Sequence, residues 1–438
     1  MCEHTRRRLL AAMGTATVGS LAGCSVPTFE NDPTITGAEL ASIVSDPPPS
    51  IPESLPVTMG ANHLAETEAA IREDLDRVPA SFDADTIPNG AIRARLTRAR
   101  EQATAALART TEAHTPWERA GRLRRARSSV GYVVGGWAAI DGDRSVPDVQ
   151  ADAESLREDL GVFRRKWAYI GTDPTDAVVV HDAIASLIRS CLGNLNRVLS
   201  VDPDDATAAL TVAETDESLN SAQGALRDAE HLFDRLRRGD AVRNHRATLK
   251  SAAATLTERV HTRRQALGLD GESSISDRSD AETPAARALR DIRQDARRST
   301  RLEERRAEEA FPLAIVEAHE ELALFGAIET LQARVDAGEA VDPTSADAVR
   351  TIRRRALEAI KTAFSEGDHR TLDRLRLYEL VGAIEYYDDD LARYDADRQV
   401  SLSRLDWELA EYVAVEASAR NVNRASAAVA AAITDARV

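Results

Sequence analysis

The sequence predicts an all-α protein of about ten long helices packed antiparallel as bundles, with no sheet. Three observations predict it. Past residue 60, apolar residues recur at alternating spacings of three and four. Five times a Thr or Asp stands before a Pro, the pattern of a capped helix start. And no stretch sustains a period-two alternation of β-branched residues, the mark of a strand.

The apolar runs follow one another along the chain. Ile92, Leu96, Ala99, Ala103 and Ala106 form the first, and Leu123, Val130, Val133, Trp137 and Ile140 the second. Val149, Ala153, Leu156, Leu160, Phe163, Trp167 and Ile170 hold the spacing longest. Then come runs through Ile184 to Cys191, Leu219 to Leu236, and Leu249 to Leu267. The second half has Leu324 to Val335, Val349 to Ile360, Leu377 to Tyr394, and Leu402 to Tyr412. Such narrow seams suit helices crossing near 20°.

The predicted starts are Thr115-Pro116, Asp173-Pro174, Asp202-Pro203, Thr283-Pro284 and Asp342-Pro343. The side-chain oxygen caps the first turn, and Pro loses no hydrogen bond there. Glu118, three residues after Thr115, predicts a capping box. Pro312 stands inside a helical pattern and predicts a break or kink. The polar stretch from Gly268 to Glu282 suggests a divide. The body is therefore read as a helical bundle over 60–268, a linker or loop over 269–282, and a second helical domain or continuation over 283–438.

Composition narrows the function. The 438 residues carry 72 acids against 56 bases, a net charge of −16. Only Lys166, Lys250 and Lys361 are lysine. This acidic, lysine-poor balance resembles proteins of extreme halophiles, whose carboxylates hold water while salt screens their repulsion. Nucleic acid is excluded as a partner, because binding it needs a basic face.

The N-terminus reads as an address. Thr5-Arg6-Arg7-Arg8-Leu9-Leu10 resembles the twin-arginine export signal, with Arg6 and Arg7 as its pair. The apolar stretch Leu9–Ala22 is too short to span a bilayer. It ends in Leu21-Ala22-Gly23-Cys24, which resembles the lipobox of lipoproteins. The resemblance implies that residues 1–23 are an export signal peptide and that Cys24 carries the lipid. The membrane partner is then the outer face of the cytoplasmic membrane, reached through Cys24. Residues 24–58 hold seven of the 16 prolines and read as a Pro-rich spacer, ~90 Å long if fully extended.

Chemistry is harder to find. No two of the nine histidines lie three or four residues apart, so no helix offers a His pair to a metal. His319-Glu320 begins like the His-Glu-x-x-His of metalloproteases, but position 323 is Ala. It also resembles the His-x-x-Glu of helical imelysin-like lipoproteins, but position 322 is Leu. Di-metal carboxylate bundles need two Glu-x-x-His pairs on helices; Glu258 with His261 has that spacing within a helical run, while Glu366 with His369 spans the connection at Gly367-Asp368. Cys191 lies in an apolar seam and reads as a buried thiol. Asp388, Asp389 and Asp390 could hold a cation only if they converged. On a helix they diverge by about 100° each, so they read as a solvated face. Gly131, Gly135 and Gly136 read as close helix packing rather than a ligand contact. No catalytic, cofactor-binding or metal-binding residue is singled out. The expectation is a membrane-anchored lipoprotein with a helical binding or scaffold domain and a protein partner at the cell surface, and not an enzyme. The alternatives are a solute-capturing lipoprotein serving a transporter, and an enzyme with a site assembled between helices.

Overall fold

The computed structural model describes residues 33–202, 208–270, 283–298, 301–338 and 343–436. Arg6, Arg7 and Cys24 lie outside them. Fourteen α-helices run through the described residues. The chain enters through strand β1 (Thr34–Thr36) and helix α1 (Gly37–Val44). Six helices follow: α2 (Ala61–Asp76), α3 (Gly90–Ala108), α4 (Pro116–Asp141), α5 (Val146–Lys166), α6 (Pro174–Leu199) and α7 (Ala209–Arg237). Between α5 and α6 lies β2 (Ile170–Gly171), and after α7 comes β3 (Arg243–Asn244). The second half holds α8 (Arg246–Ala266), α9 (Pro284–Arg298), α10 (Leu302–Ala307), α11 (Phe311–Asp336), α12 (Ala346–Glu366) and α13 (Arg370–Ala392). Strand β4 (Gln399–Ser401) and α14 (Asp406–Asp435) complete it.

These elements bury two main cores. Leu123, Val130, Leu160, Ile184, Leu219 and Leu232 belong to the first, built from α2 to α7. Leu249, Phe325, Ile328, Leu377 and Tyr412 belong to the second, built from α1 and α8 to α14. Helix α6 serves both: Val178 and Val179 pack into the second core, Ile184 and Cys191 into the first. It is long and apolar enough to cross a membrane, but 61% of its apolar window is buried within the protein, as in a core helix. The second core begins with α8 at residue 246, ahead of the polar stretch. Leu269, at the start of that stretch, is buried, and Asp270 pairs with Arg264 at 2.7 Å.

The glycines of α4 set a close helix–helix contact. A Cβ on Gly131 would lie 2.6 Å from Asn220, one on Gly135 2.5 Å from Asp216, and one on Gly136 2.7 Å from Leu96. Pairing 131 with 220 and 135 with 216 runs α4 and α7 antiparallel, with backbones closer than any side chain allows. Helices α11 and α14 repeat the arrangement, with His319 on Ser426, Thr330 on Asn421 and Arg334 on Glu416.

Several expectations need correction. Two small antiparallel ladders exist, β1 with β4 and β2 with β3. Strands of two or three residues are too short to show a period. The Leu156 to Ile170 run leaves the helix at Trp167, where the chain extends so that Tyr169 C=O accepts the His245 N–H at 2.7 Å. Pro312 opens α11 at its second position instead of kinking it, because a first-turn N–H has no partner to lose. Thr115, Asp173 and Thr283 do cap their helices. Helix α12 starts later than Asp342-Pro343 predicts, on Ser345, whose Oγ accepts from Ala348 N–H at 3.3 Å. Glu118 does not close a box on Thr115; it accepts from the preceding His114 N–H at 2.8 Å. From residue 33 onward the Pro-rich segment is no free spacer. Ile35, Leu40, Ile43 and Ile51 are buried in the second core and Met59 in the first. Residues 45–60 thus form a strap from one helical unit to the other.

Candidate functional site

The strap closes a cavity of about 380 Å³ where the two units meet. Its wall draws on four elements: Glu53, Ser54 and Leu55 of the strap, Trp117 and Arg124 of α4, one face of α6, and one face of α13. On α6 that face is Val179, Asp182, Ser186 and Ser190, and on α13 it is Arg374, Tyr378 and Glu379. Spacings of three and four keep such residues on one helical side. An open groove of about 490 Å³ beside Arg95 and Tyr132 is larger. Its Arg95 is already engaged by Tyr132 and Glu214. The junction cavity is a cleft half-open to solvent, with Trp117 and Tyr378 as aromatic walls of the kind ligand sites carry.

Most polar groups at the wall hold one another. Trp117 Nε1 donates to Glu53 Oε1 at 2.8 Å, and Thr115 Oγ1 donates to the Glu53 carbonyl. Tyr378 lies near Glu53, and burial first, then the Glu53 and Glu118 charges, push its phenol up. Arg124 lies 5.0 Å over the Trp117 ring and pairs with Asp228. Asp228 in turn holds His63 at 2.7 Å, and His63 stacks on His231 with centroids 4.1 Å apart. His231 Nε2 accepts the Gly60 N–H at 2.9 Å, fixing the far end of the strap. Glu379 accepts from Arg376 at 2.6 Å.

Asp182 is different. It makes no hydrogen bond or ion pair with any described residue. Burial pushes its carboxyl up to about 7. The charges of Glu317 and Glu379 push the same way, while Arg189 and Arg305 oppose them. Behind it on α11, burial and the neighbouring carboxylates push Glu320 up to about 7.

This gives a pH signature. A carboxyl raised in the folded state favours folding fully below its unfolded value near 4. That stability is lost as pH rises through the folded value. The buried imidazoles act oppositely: burial pushes His181 down to about 4 and His319 to about 3. They cost stability as pH falls below about 6.5. Wild-type stability therefore mixes both signs, and a difference between variants isolates one site. Asp182→Asn is expected to be more stable than wild type, by a margin that widens from about pH 4 to 7 and then levels. Thermal unfolding across that range checks this; a constant margin would refute the assignment.

None of the residues singled out from sequence lines this cavity. His319 is buried on Ser426 at 2.9 Å. His261 bonds Gln265 on an exposed face. Cys191 is buried, and burial pushes its thiol up to about 12. Asp388, Asp389 and Asp390 diverge as expected, but Asp388 is not solvated. It turns inward onto Arg353 at 2.6 Å and accepts from Tyr412 at 2.6 Å. No group of three metal-ligating side chains occurs among the described residues. The one sequence signal that pointed to the cavity is an acid, Asp182, inside the apolar run from Ala177 to Ile188.

Fold and cavity define an all-α protein of two helical units clasped by its own N-terminal segment. Residues 62–242 match the family described as "Domain of unknown function (DUF8262)", and residues 246–431 match "Domain of unknown function (DUF8264)". The change of family falls on β3, where the chain passes from the first core to the second. No curated protein and no solved structure matches the chain. Neither description names a chemistry, and no enzyme-related family matches.

Proposed function

We propose that this is a lipid-anchored binding protein, held through Cys24 to the outer face of the cytoplasmic membrane, that takes a small solute into its junction cavity. The observation that carries the binding half is Asp182, an unpartnered carboxylate on the wall of an aromatic-lined cavity. A half-buried charge without a protein partner is partly desolvated at a cost to stability, so its retention there fits a group kept for a ligand. Capture for a transporter fits this reading better than scaffolding, which would leave the cavity without a use. Binding rather than catalysis is favoured because the His-containing motifs in the sequence stop short of a complete set. The anchoring half rests on the order of Arg6-Arg7, a short apolar run and the Leu21–Cys24 motif. The acidic excess fits work in concentrated salt.

Expression of the full chain in a host that matures lipoproteins tests the anchor. Wild type is expected in the membrane fraction, lipid-labelled and beginning at Cys24, and Cys24→Ser is expected unlabelled and unprocessed. Wild-type protein recovered from the cytosol with its first 23 residues intact would overturn the placement.

A further inference from the structure

The charges at the cavity wall can be sorted by whether the protein already satisfies them. Glu53 is held by Trp117, Glu379 by Arg376, and Arg124 by Asp228. Two charged groups remain. Asp182 has no partner among the described residues. Arg374 has no carboxylate partner among them either: its Nη1 reaches Ser54 Oγ only at 3.4 Å, its Nε is buried without an acceptor, and its guanidinium lies 5.6 Å over the Phe364 ring. One free anion on α6 and one free cation on α13 therefore face the same space, with Trp117, Tyr378 and Leu187 as its apolar surface.

We propose that the cavity binds an amino-acid-like zwitterion, its ammonium on Asp182, its carboxylate on Arg374 and its apolar body against Trp117 and Tyr378. The claim rests on the binding-protein reading above and names the ligand class for that site. A carboxylate suits the planar fork of a guanidinium. An ammonium replaces the hydrogen bonds that Asp182 lacks. A purely anionic solute would leave Asp182 unpaired and add repulsion, and a purely cationic one would do the same to Arg374. The volume is within the range of small-molecule sites.

Titration calorimetry on the mature chain, in concentrated salt at pH 8, tests this. The probes are leucine, phenylalanine, γ-aminobutyrate and ε-aminocaproate, each beside its N-acetyl derivative (anion only) and its amide (cation only for the two ω-amino acids, about half cation at pH 8 for the two α-amino acids). At least one zwitterion is expected to bind, and each blocked form to bind roughly tenfold to hundredfold more weakly. Asp182→Asn and Arg374→Gln should each weaken the zwitterion by a similar factor while leaving its matching blocked form little changed. Unfolding curves without ligand confirm that both variants fold. Equal binding of a zwitterion and its amide, or of the zwitterion by wild type and both variants, overturns the proposal. So does a panel without binding. If a neutral solute from a wider thermal-shift screen then binds and Trp117→Ala abolishes it, the ligand class is wrong but the binding-protein reading stands. If that screen also yields nothing, both fall.

Discussion

Arg353→Ala is expected to destabilise the second helical unit by about 3–5 kcal/mol, the usual result of stranding one member of a buried ion pair. Arg353 is 3% exposed. Its Nε and Nη2 donate to the two oxygens of Asp388 at 2.8 and 2.6 Å, and Nη2 also donates to the Asp46 carbonyl at 2.6 Å. Tyr412, fully buried, donates its hydroxyl to Asp388 as well. Removing the guanidinium leaves a carboxylate in the core with one neutral donor and frees the start of the strap. The double variant Arg353→Met with Asp388→Leu is expected to recover most of the loss, because the pair's attraction is largely offset by its desolvation. Denaturant unfolding of the three proteins at one salt concentration measures this. A loss below about 1 kcal/mol for the single variant would mean that water reaches the pair.

The second large effect is a reversal of sign. Alanine for glycine inside an exposed helix stabilises by ~1 kcal/mol. Gly193→Ala in α6 should show that gain, since an added Cβ meets nothing within 4 Å. Gly135→Ala in α4 should lose stability, because its Cβ would sit 2.5 Å from the Asp216 side chain. Asp216 has little freedom to retreat: Arg144 Nε and Nη2 hold its two oxygens at 2.6 and 2.7 Å. Overpacking of this kind costs about 1–3 kcal/mol, and Gly135→Val should cost more than Gly135→Ala. A gain at Gly135 equal to that at Gly193 would show that α4 and α7 can separate freely.

Most of the long helices were legible because they carry their own evidence, whereas α1 lay inside the segment read as a spacer. Ile184, Leu187 and Cys191 repeat on one side of α6, and Asp173 caps it within the same few residues. What depends on distant partners was not legible. The cavity brings together residues 53, 117, 182 and 374, and no local pattern links them. Proline content reports how a backbone bends and not what it is packed against. That is why a segment with Ile43, Ile51 and Met59 buried could be read as a spacer. The acidic run misled in a related way: three adjacent acids share one composition, but the helix turns Asp388 into the core and Asp389 to solvent.

The tie at Pro33 also limits how high the molecule can stand above a bilayer. The Pro33 carbonyl, the first described, already accepts the Leu402 N–H at 2.9 Å and ties this end to the body. Eight residues lie between it and Cys24, a leash of at most ~30 Å, a third of what an extended spacer would give. A body anchored at Cys24 would therefore rest close to the lipid headgroups, within reach of the mouth of an integral membrane protein.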